Sequence, residues 1–311
     1  MKVVFMGSAE FSVPTLLALT MAYDIVGVVT QPDRPAGRGR KMSANPVKRI
    51  AEAAAIPVFQ PHTLRTPEAV AQLAAWEPDL MVVAAFGQIL RSQVLTLPQH
   101  GCINVHASLL PRWRGAAPIP AAILAGDKIS GVTIMRMDAG LDTGPILAKR
   151  ATSIEVDDTA ATLSSRLAEM GAQLLIDTLP AYLDGDLPPQ PQPEQGVTYA
   201  PQLQKADGAI NWTLPAEQID RCIRAYIPWP GAFTHWGSKA LKVLEAIPML
   251  DWSGPELPGA VLKGEVCPMV ATGEGALWLT RMQLAGKKAM ASDAFLCGQP
   301  HFVGSVLGGQ E

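Results

Sequence analysis

A largely parallel α/β sheet followed by a small β-barrel is the architecture predicted by three features of the 311-residue sequence. Short apolar runs alternate with amphipathic helical stretches as far as Tyr182, the pattern of a sheet covered on both faces. A tract reading Asp-Leu-Pro-Pro-Gln-Pro-Gln-Pro then fills residues 186–193. Beyond it, brief apolar runs are separated by Gly and Pro, as in a small barrel.

Residues 2–6 form an apolar run that stops at Gly7, as a buried strand does. The next helix carries Pro14 in its first turn and turns Leu16, Leu17 and Leu19 inward. Residues 25–30 read as a second strand, and the chain is then polar from Gln31 to Asn45. Pro46 opens a helix over 46–55, Val58-Phe59 a short strand, and 68–76 a further helix. Residues 80–85 are a continuous apolar strand ending at Phe86-Gly87. Ile103-Asn104-Val105-His106 alternates apolar and polar, like a strand at the rim of a site. Strands over 131–137 and 146–149 suit an antiparallel pair, and 159–182 has Leu163, Leu167, Met170, Leu174 and Leu175 at helical spacing. In such sheets ligands sit outside the carboxyl ends of the strands, which puts Gly7, Thr30, Phe86 and His106 near one rim.

The proline tract reads as an extended, semi-rigid linker. Past it, 215–225 is helical, and the runs at 241–244, 260–262, 269–271 and 276–279 read as barrel strands. The expected division is a domain over 1–187, a linker over 188–206 and a barrel domain over 207–311.

Composition excludes several classes of function. Hydrophobic residues make up 48% of the chain, ample for burial and unlike a disordered protein. The N-terminal apolar run is too short for a secretory signal, and no stretch is long enough to span a membrane. Cys102, Cys222, Cys267 and Cys297 are widely spaced, which suits reduced thiols in the cytoplasm. His62, His100, His106, His235 and His301 lack metal-ligand spacing, so no metal is expected. Gly7 is not followed by Gly-x-x-Gly, so the dinucleotide fingerprint is missing. A net charge of −3 leaves only local basic patches to attract nucleic acid.

The densest chemical signal is Asn104-Val105-His106-Ala107-Ser108-Leu109-Leu110-Pro111-Arg112-Trp113-Arg114-Gly115. Residues i and i+2 of a strand face the same way, so Asn104 and His106 point together. A carboxamide donates hydrogen bonds and an imidazole titrates near neutrality. Such a pair can steady a developing oxyanion and move a proton, or be a satisfied buried pair without chemistry. Asp138-Ala139-Gly140-Leu141-Asp142-Thr143-Gly144-Pro145 is a loop that either brings carboxylates to a site or uses them to cap its own turns.

These two stretches resemble the folate-dependent formyltransferases. The resemblance implies a Rossmann-like α/β domain with a small OB-like β-barrel, and Asn104, His106 and Asp142 as the catalytic trio. It implies 10-formyltetrahydrofolate as formyl donor, bound near Ser108, Leu109, Leu110 and Pro111. It also implies that Phe86, Gly87, Ile89, Leu90 and Asp138 contact the pterin, largely through backbone groups. Gly7-Ser8-Ala9-Glu10-Phe11, the stretch from Thr30 to Gly39, Pro228-Trp229-Pro230-Gly231 and Ala285-Gly286-Lys287-Lys288 narrow the likeness to the members that formylate methionyl-tRNA.

The segment over 31–49 carries Arg34, Arg38, Arg40, Lys41, Lys48 and Arg49 against the single acid Asp33. On composition it is a solvated face. Beside an active site it suits a polyanion, and the resemblance implies a loop that enters the acceptor end of initiator methionyl-tRNA. Arg34, Arg38, Arg40, Lys41, Lys48, Lys287 and Lys288 are therefore the candidate tRNA contacts of a cytoplasmic monomer. An amino-sugar or nucleotide formyltransferase is disfavoured by the basic segment, and a non-catalytic tRNA-binding module by the intact trio.

Overall fold

The computed structural model describes residues 1–36 and 41–308. Two compact units divide the chain. The first comprises Met1–Pro118, Ile129–Ser153 and Leu163–Pro201. The second takes Ile119–Lys128 and Ile154–Thr162 together with the chain from Gln202 onward.

The strands before Pro201 are β1 (Lys2–Gly7), β2 (Asp24–Val29), β3 (Arg34–Ala36), β4 (Lys41–Ser43), β5 (Val58–Phe59), β6 (Leu80–Ala84), β7 (Cys102–His106), β8 (Arg114–Gly115), β9 (Ile129–Arg136), β10 (Ile146–Ser153) and β11 (Tyr199–Ala200). The helices are α1 (Val13–Ala22), α2 (Pro46–Ala53), α3 (Pro67–Ala74), α4 (Ser92–Leu95), α5 (Pro118–Ala125) and α6 (Ala160–Leu183). Seven strands make one sheet in the order β10-β9-β7-β6-β1-β2-β5. The strands from β7 to β5 run parallel, whereas β9 and β10 are antiparallel to their neighbours. The chain builds outward from β1 in one direction and then, from β6, in the other. That reversal opens a crevice at the carboxyl ends of the central strands.

Residues 3–6 and all of β6 are buried, which is why these strands read as unbroken apolar runs. Val4, Met6, Leu73, Met81, Val83 and Val94 belong to one core cluster. Asn45 and Thr66 cap α2 and α3 by accepting hydrogen bonds from the Lys48 and Ala69 amides, and Pro46 and Pro67 follow each cap. In α1, Leu16 and Leu19 are buried but Leu17 is exposed, contrary to expectation. One residue advances a helix by about 100°, so Leu17 turns off the apolar stripe. Gly171 lets α6 approach β7 closely, since a Cβ there would lie 2.7 Å from Val105 Cγ1.

The stretch after α6 is extended, as its prolines dictate, but it is tied to the first unit along its length. Gln190 and Ile146 exchange backbone hydrogen bonds of 2.8 and 2.7 Å. β11 pairs with β8 in parallel.

The second unit contains α7 (Ala216–Ala225), β12 (Phe233–Trp236), β13 (Lys239–Met249), β14 (Val261–Leu262), β15 (Met269–Ala271), β16 (Ala276–Leu284), β17 (Met290–Ala291) and α8 (Ser292–Gly298). Its sheet is antiparallel in the order β12-β13-β16-β15-β14, with β17 on β16. Val306 bridges to Ala260 and Leu307 to Trp236, so the end of the described chain joins the two edges of the sheet. Trp212, Ile219, Val243, Leu279, Phe295 and Phe302 lie in its core.

Candidate active site

β7 carries Asn104 and His106 to the rim of the sheet, where both are buried. The turn between β9 and β10 supplies Asp142. Asn104 Nδ2 donates to Asp142 Oδ1 at 3.4 Å, and His106 Nδ1 lies 3.7 Å from Asp142 Oδ2. The Gly115 amide donates to the same Oδ2 at 2.8 Å. On its other side the imidazole meets the Trp113 carbonyl, with Nε2 at 3.0 Å. A carbonyl only accepts, so this contact suits an Nε2 that carries hydrogen, with Nδ1 turned to Asp142.

Local conformation shapes these contacts. Trp113 and Asp142 have φ values of +61° and +51°, in the left-handed region that few non-glycine residues adopt. Gly115 has φ +117°, and a Cβ there would lie 2.6 Å from the Ala200 carbonyl. Only glycine can both present its amide to Asp142 and pair with β11.

The loop after β7 is also braced. Ser108 Oγ donates to the Arg112 carbonyl at 2.6 Å. Thr133 Oγ1 donates to the Ser108 carbonyl and accepts from the Leu110 amide. Leu110 is fully buried, while Leu109 and Pro111 are half-buried. Lys149 Nζ donates to the Leu110 carbonyl, and burial pulls the Lys149 pKa below its ordinary value.

The predicted pterin contacts divide. The Phe86 and Leu90 side chains are buried in the core cluster. The Phe86 carbonyl accepts from Gln31 Nε2 at 3.2 Å. Gly87 is left-handed, and Ile89 is 68% exposed. Asp138 is exposed, and its Oδ1 accepts from the Gly140 amide and the Thr143 hydroxyl, so it shapes its own turn.

Among the predicted basic contacts, Lys48 is committed elsewhere. Its ammonium lies 2.7 Å from Asp33 Oδ2, and this hydrogen bond raises the lysine pKa and lowers that of Asp33. Arg34 is exposed on β3, Lys41 opens β4, and Arg38 and Arg40 lie outside the described residues. Lys287 and Lys288 are exposed between β16 and β17.

Two residues in this network carried no assigned role in the sequence reading. Gln192, from the proline tract, donates through Nε2 to the Asp142 and Gly144 carbonyls at 2.7 and 2.8 Å. Its Oε1 accepts from Arg114, whose Nη2 is 2.7 Å away. A glutamine among prolines gives no signal of such a contact. Among the described residues, no group of three or more His, Cys, Asp or Glu could hold a metal.

The formyl transferase family model matches residues 1–179, and a second model, the formyl transferase C-terminal domain, matches residues 202–300. The chain belongs to the formyl transferase family. It is 51% identical to methionyl-tRNA formyltransferase from Magnetococcus marinus, over 99% of this chain and 98% of that one. It is 50% identical to methionyl-tRNA formyltransferase from Pseudomonas entomophila over the full length of both. Among solved structures it is similar in fold to HypX from Aquifex aeolicus in complex with tetrahydrofolic acid, at TM-score 0.67 and 19% identity. That likeness covers 97% of this chain and spans about half, 48%, of HypX.

Proposed function

We propose that this chain transfers the formyl group of 10-formyltetrahydrofolate to the free amino group of methionyl-tRNA, giving N-formylmethionyl-tRNA. The observation that carries the reading is the meeting of Asn104 and His106 on one carboxylate, Asp142, at the rim of the sheet. This donor set fits a formyl carrier: an amide N–H and an imidazole can both face one carbonyl oxygen. The folate supplies an acyl carbon that is open to attack.

The chain's own groups do the rest. One Asn104 N–H is held by Asp142, and the other stabilises negative charge developing on the formyl oxygen. His106 works through Nδ1, because Nε2 is tied to Trp113, and its imidazolium adds a second donor. Asp142 orients both partners and assists removal of the proton from the attacking nitrogen. The amine is itself the nucleophile, so no acyl-enzyme forms.

In this reading residues 1–187 carry catalysis, 188–206 connect, and 207–311 bind tRNA. The exposed lysines Lys287 and Lys288 support the last assignment, and Arg34 and Lys41 on β3 and β4 support an approach of phosphates beside the sheet. The proposed setting is a cytoplasmic monomer acting on initiator methionyl-tRNA without a membrane partner. No described helix is long and apolar enough to cross a membrane. Purified protein with formyl-folate should formylate methionyl-tRNA, and leave free methionine and amino sugars unmodified. Preference for an amino sugar would overturn the reading.

A further inference from the structure

We propose that Gln192 is a positioning residue for Asp142, a role that rests on the catalytic reading of that carboxylate. The carboxylate must stay near Asn104 and His106, yet it sits on a turn in a left-handed conformation, with φ +51°. A non-glycine residue holds that conformation only when its surroundings fix it. Gln192 supplies the fixing contact. Its Nε2 donates both hydrogens, to the Asp142 carbonyl at 2.7 Å and the Gly144 carbonyl at 2.8 Å. Its Oε1 accepts from Arg114 Nε and Nη2 at 3.2 and 2.7 Å. The orientation of the amide is dictated by these partners: two carbonyls require donors and a guanidinium requires an acceptor.

Arg114 is buried, and its neighbour Gly115 holds the Asp142 carboxylate by the 2.8 Å amide contact. Asp142 is thus gripped at its backbone by Gln192 and at its side chain by Gly115, and Arg114 links the two grips. The stretch bearing Gln192 is itself secured on either side, by the Gln190–Ile146 pair and by the Thr198 carbonyl, which accepts from the Arg114 amide at 2.9 Å. Gln192 touches neither Asn104 nor His106 by any hydrogen bond found among the described residues, so its influence runs through Asp142.

The test uses the full chain with methionyl-tRNA and formyl-folate, in four variants: Gln192→Ala, Gln192→Glu, Asp142→Asn, and Gln192→Ala with Asp142→Asn. Gln192→Glu keeps an acceptor for Arg114 but turns its other oxygen toward two carbonyls, and it decides the matter should Gln192→Ala fail to fold. Both single variants at 192 should lose roughly tenfold to a hundredfold in kcat, as displacement of about 1 Å does. KM for either substrate should stay within about threefold, since the loss falls on the transition state. In the Asp142→Asn background, Gln192→Ala should cost less than about twofold, because residues acting as one unit are not additive. Near-normal kcat in Gln192→Glu, a change confined to KM, or an undiminished loss in the Asp142→Asn background would each overturn the proposal. Full turnover by Asp142→Asn alone would overturn the role of Asp142 and this proposal with it. Loss there with normal turnover in both variants at 192 would overturn only the proposal.

Discussion

Replacing His106 by Ala removes the Nδ1 that faces Asp142 and also the Nε2 hydrogen that the Trp113 carbonyl accepts. The first loss is chemical and the second structural. We expect kcat to fall by on the order of a hundredfold or more for His106→Ala, Asn104→Ala and Asp142→Ala, as when acid–base groups and oxyanion donors are lost. Loss of the contact to the Trp113 carbonyl should also cost His106→Ala about 0.5–1.5 kcal/mol of stability. Single-turnover rates and melting curves separate the two effects, and near-normal turnover of His106→Ala would refute the mechanism. A second residue-scale expectation concerns thiols. Burial pushes the Cys102 pKa up to about 12 and raises those of Cys222 and Cys267, while Cys297 is exposed. Only a thiolate reacts readily, so iodoacetamide at about pH 8 should alkylate Cys297 and spare Cys102, as read by peptide mass spectrometry. That Asn104 and His106 point together was legible in the sequence because a strand's alternation places them so, whereas the part of Asp142 came from the resemblance alone. Which of Ile89 and Leu90 is buried was not legible, since both are apolar and only the turn of the chain decides. Nor was the commitment of Lys48 to Asp33, which depends on the fold of the segment between them.

Elements differ in how much their sequence reveals. β1 and β6 are unbroken apolar runs because both faces are covered, and their positions followed directly. α7, β14 and β15 fall where periodicity and flanking Gly and Pro put them, whereas β13 and β16 run on to Met249 and Leu284, beyond the expected 244 and 279, and β12 and β17 had no counterpart in the reading. The proline tract was harder: prolines dictate extension, but nothing in them says that β11 will pair with β8 or that Gln190 will pair with Ile146. The antiparallel pair β3 and β4 carries Arg34 and Lys41 of the basic segment, whose charge is read from composition alone. Replacing Arg38, Arg40 and Lys41 together by Ala should lower kcat/KM for methionyl-tRNA and leave KM for the formyl donor unchanged. The wild-type tRNA affinity should fall as salt rises, and the triple variant should show a shallower dependence. Binding measured across a salt series tests this, with initiator and elongator tRNAs compared side by side. Unchanged affinity and discrimination would make the segment a solvated face.

At the scale of the whole molecule, the two units are not two consecutive lengths of chain. Ile119–Lys128 and Ile154–Thr162 group with the second unit although they precede α6 in full or in large part. Cutting the chain after Pro201 therefore removes most of the unit with which Ile119–Lys128 and Ile154–Thr162 group, the buried Ile119 and Ile123 among them. Exposing such side chains costs roughly 1.5–3 kcal/mol for each large one, so the fragment should melt about 10 °C below the full chain. Circular dichroism melts test this, and an unchanged melting temperature would show that the first unit stands alone. No sequence pattern announced the exchange, because apolar residues are alike whichever core receives them. The same holds for Val306 and Leu307, whose bridging of both sheet edges has no local signature. The grip on Asp142 has a further consequence, in the order of synthesis. The turn that bears Asp142 leaves the ribosome well before Gln192 does. A nascent chain of intermediate length can therefore pair every strand of the seven-stranded sheet while the Asp142 backbone still lacks the Gln192 grip and only Gly115 holds its carboxylate, so the site matures later than the sheet that supports it.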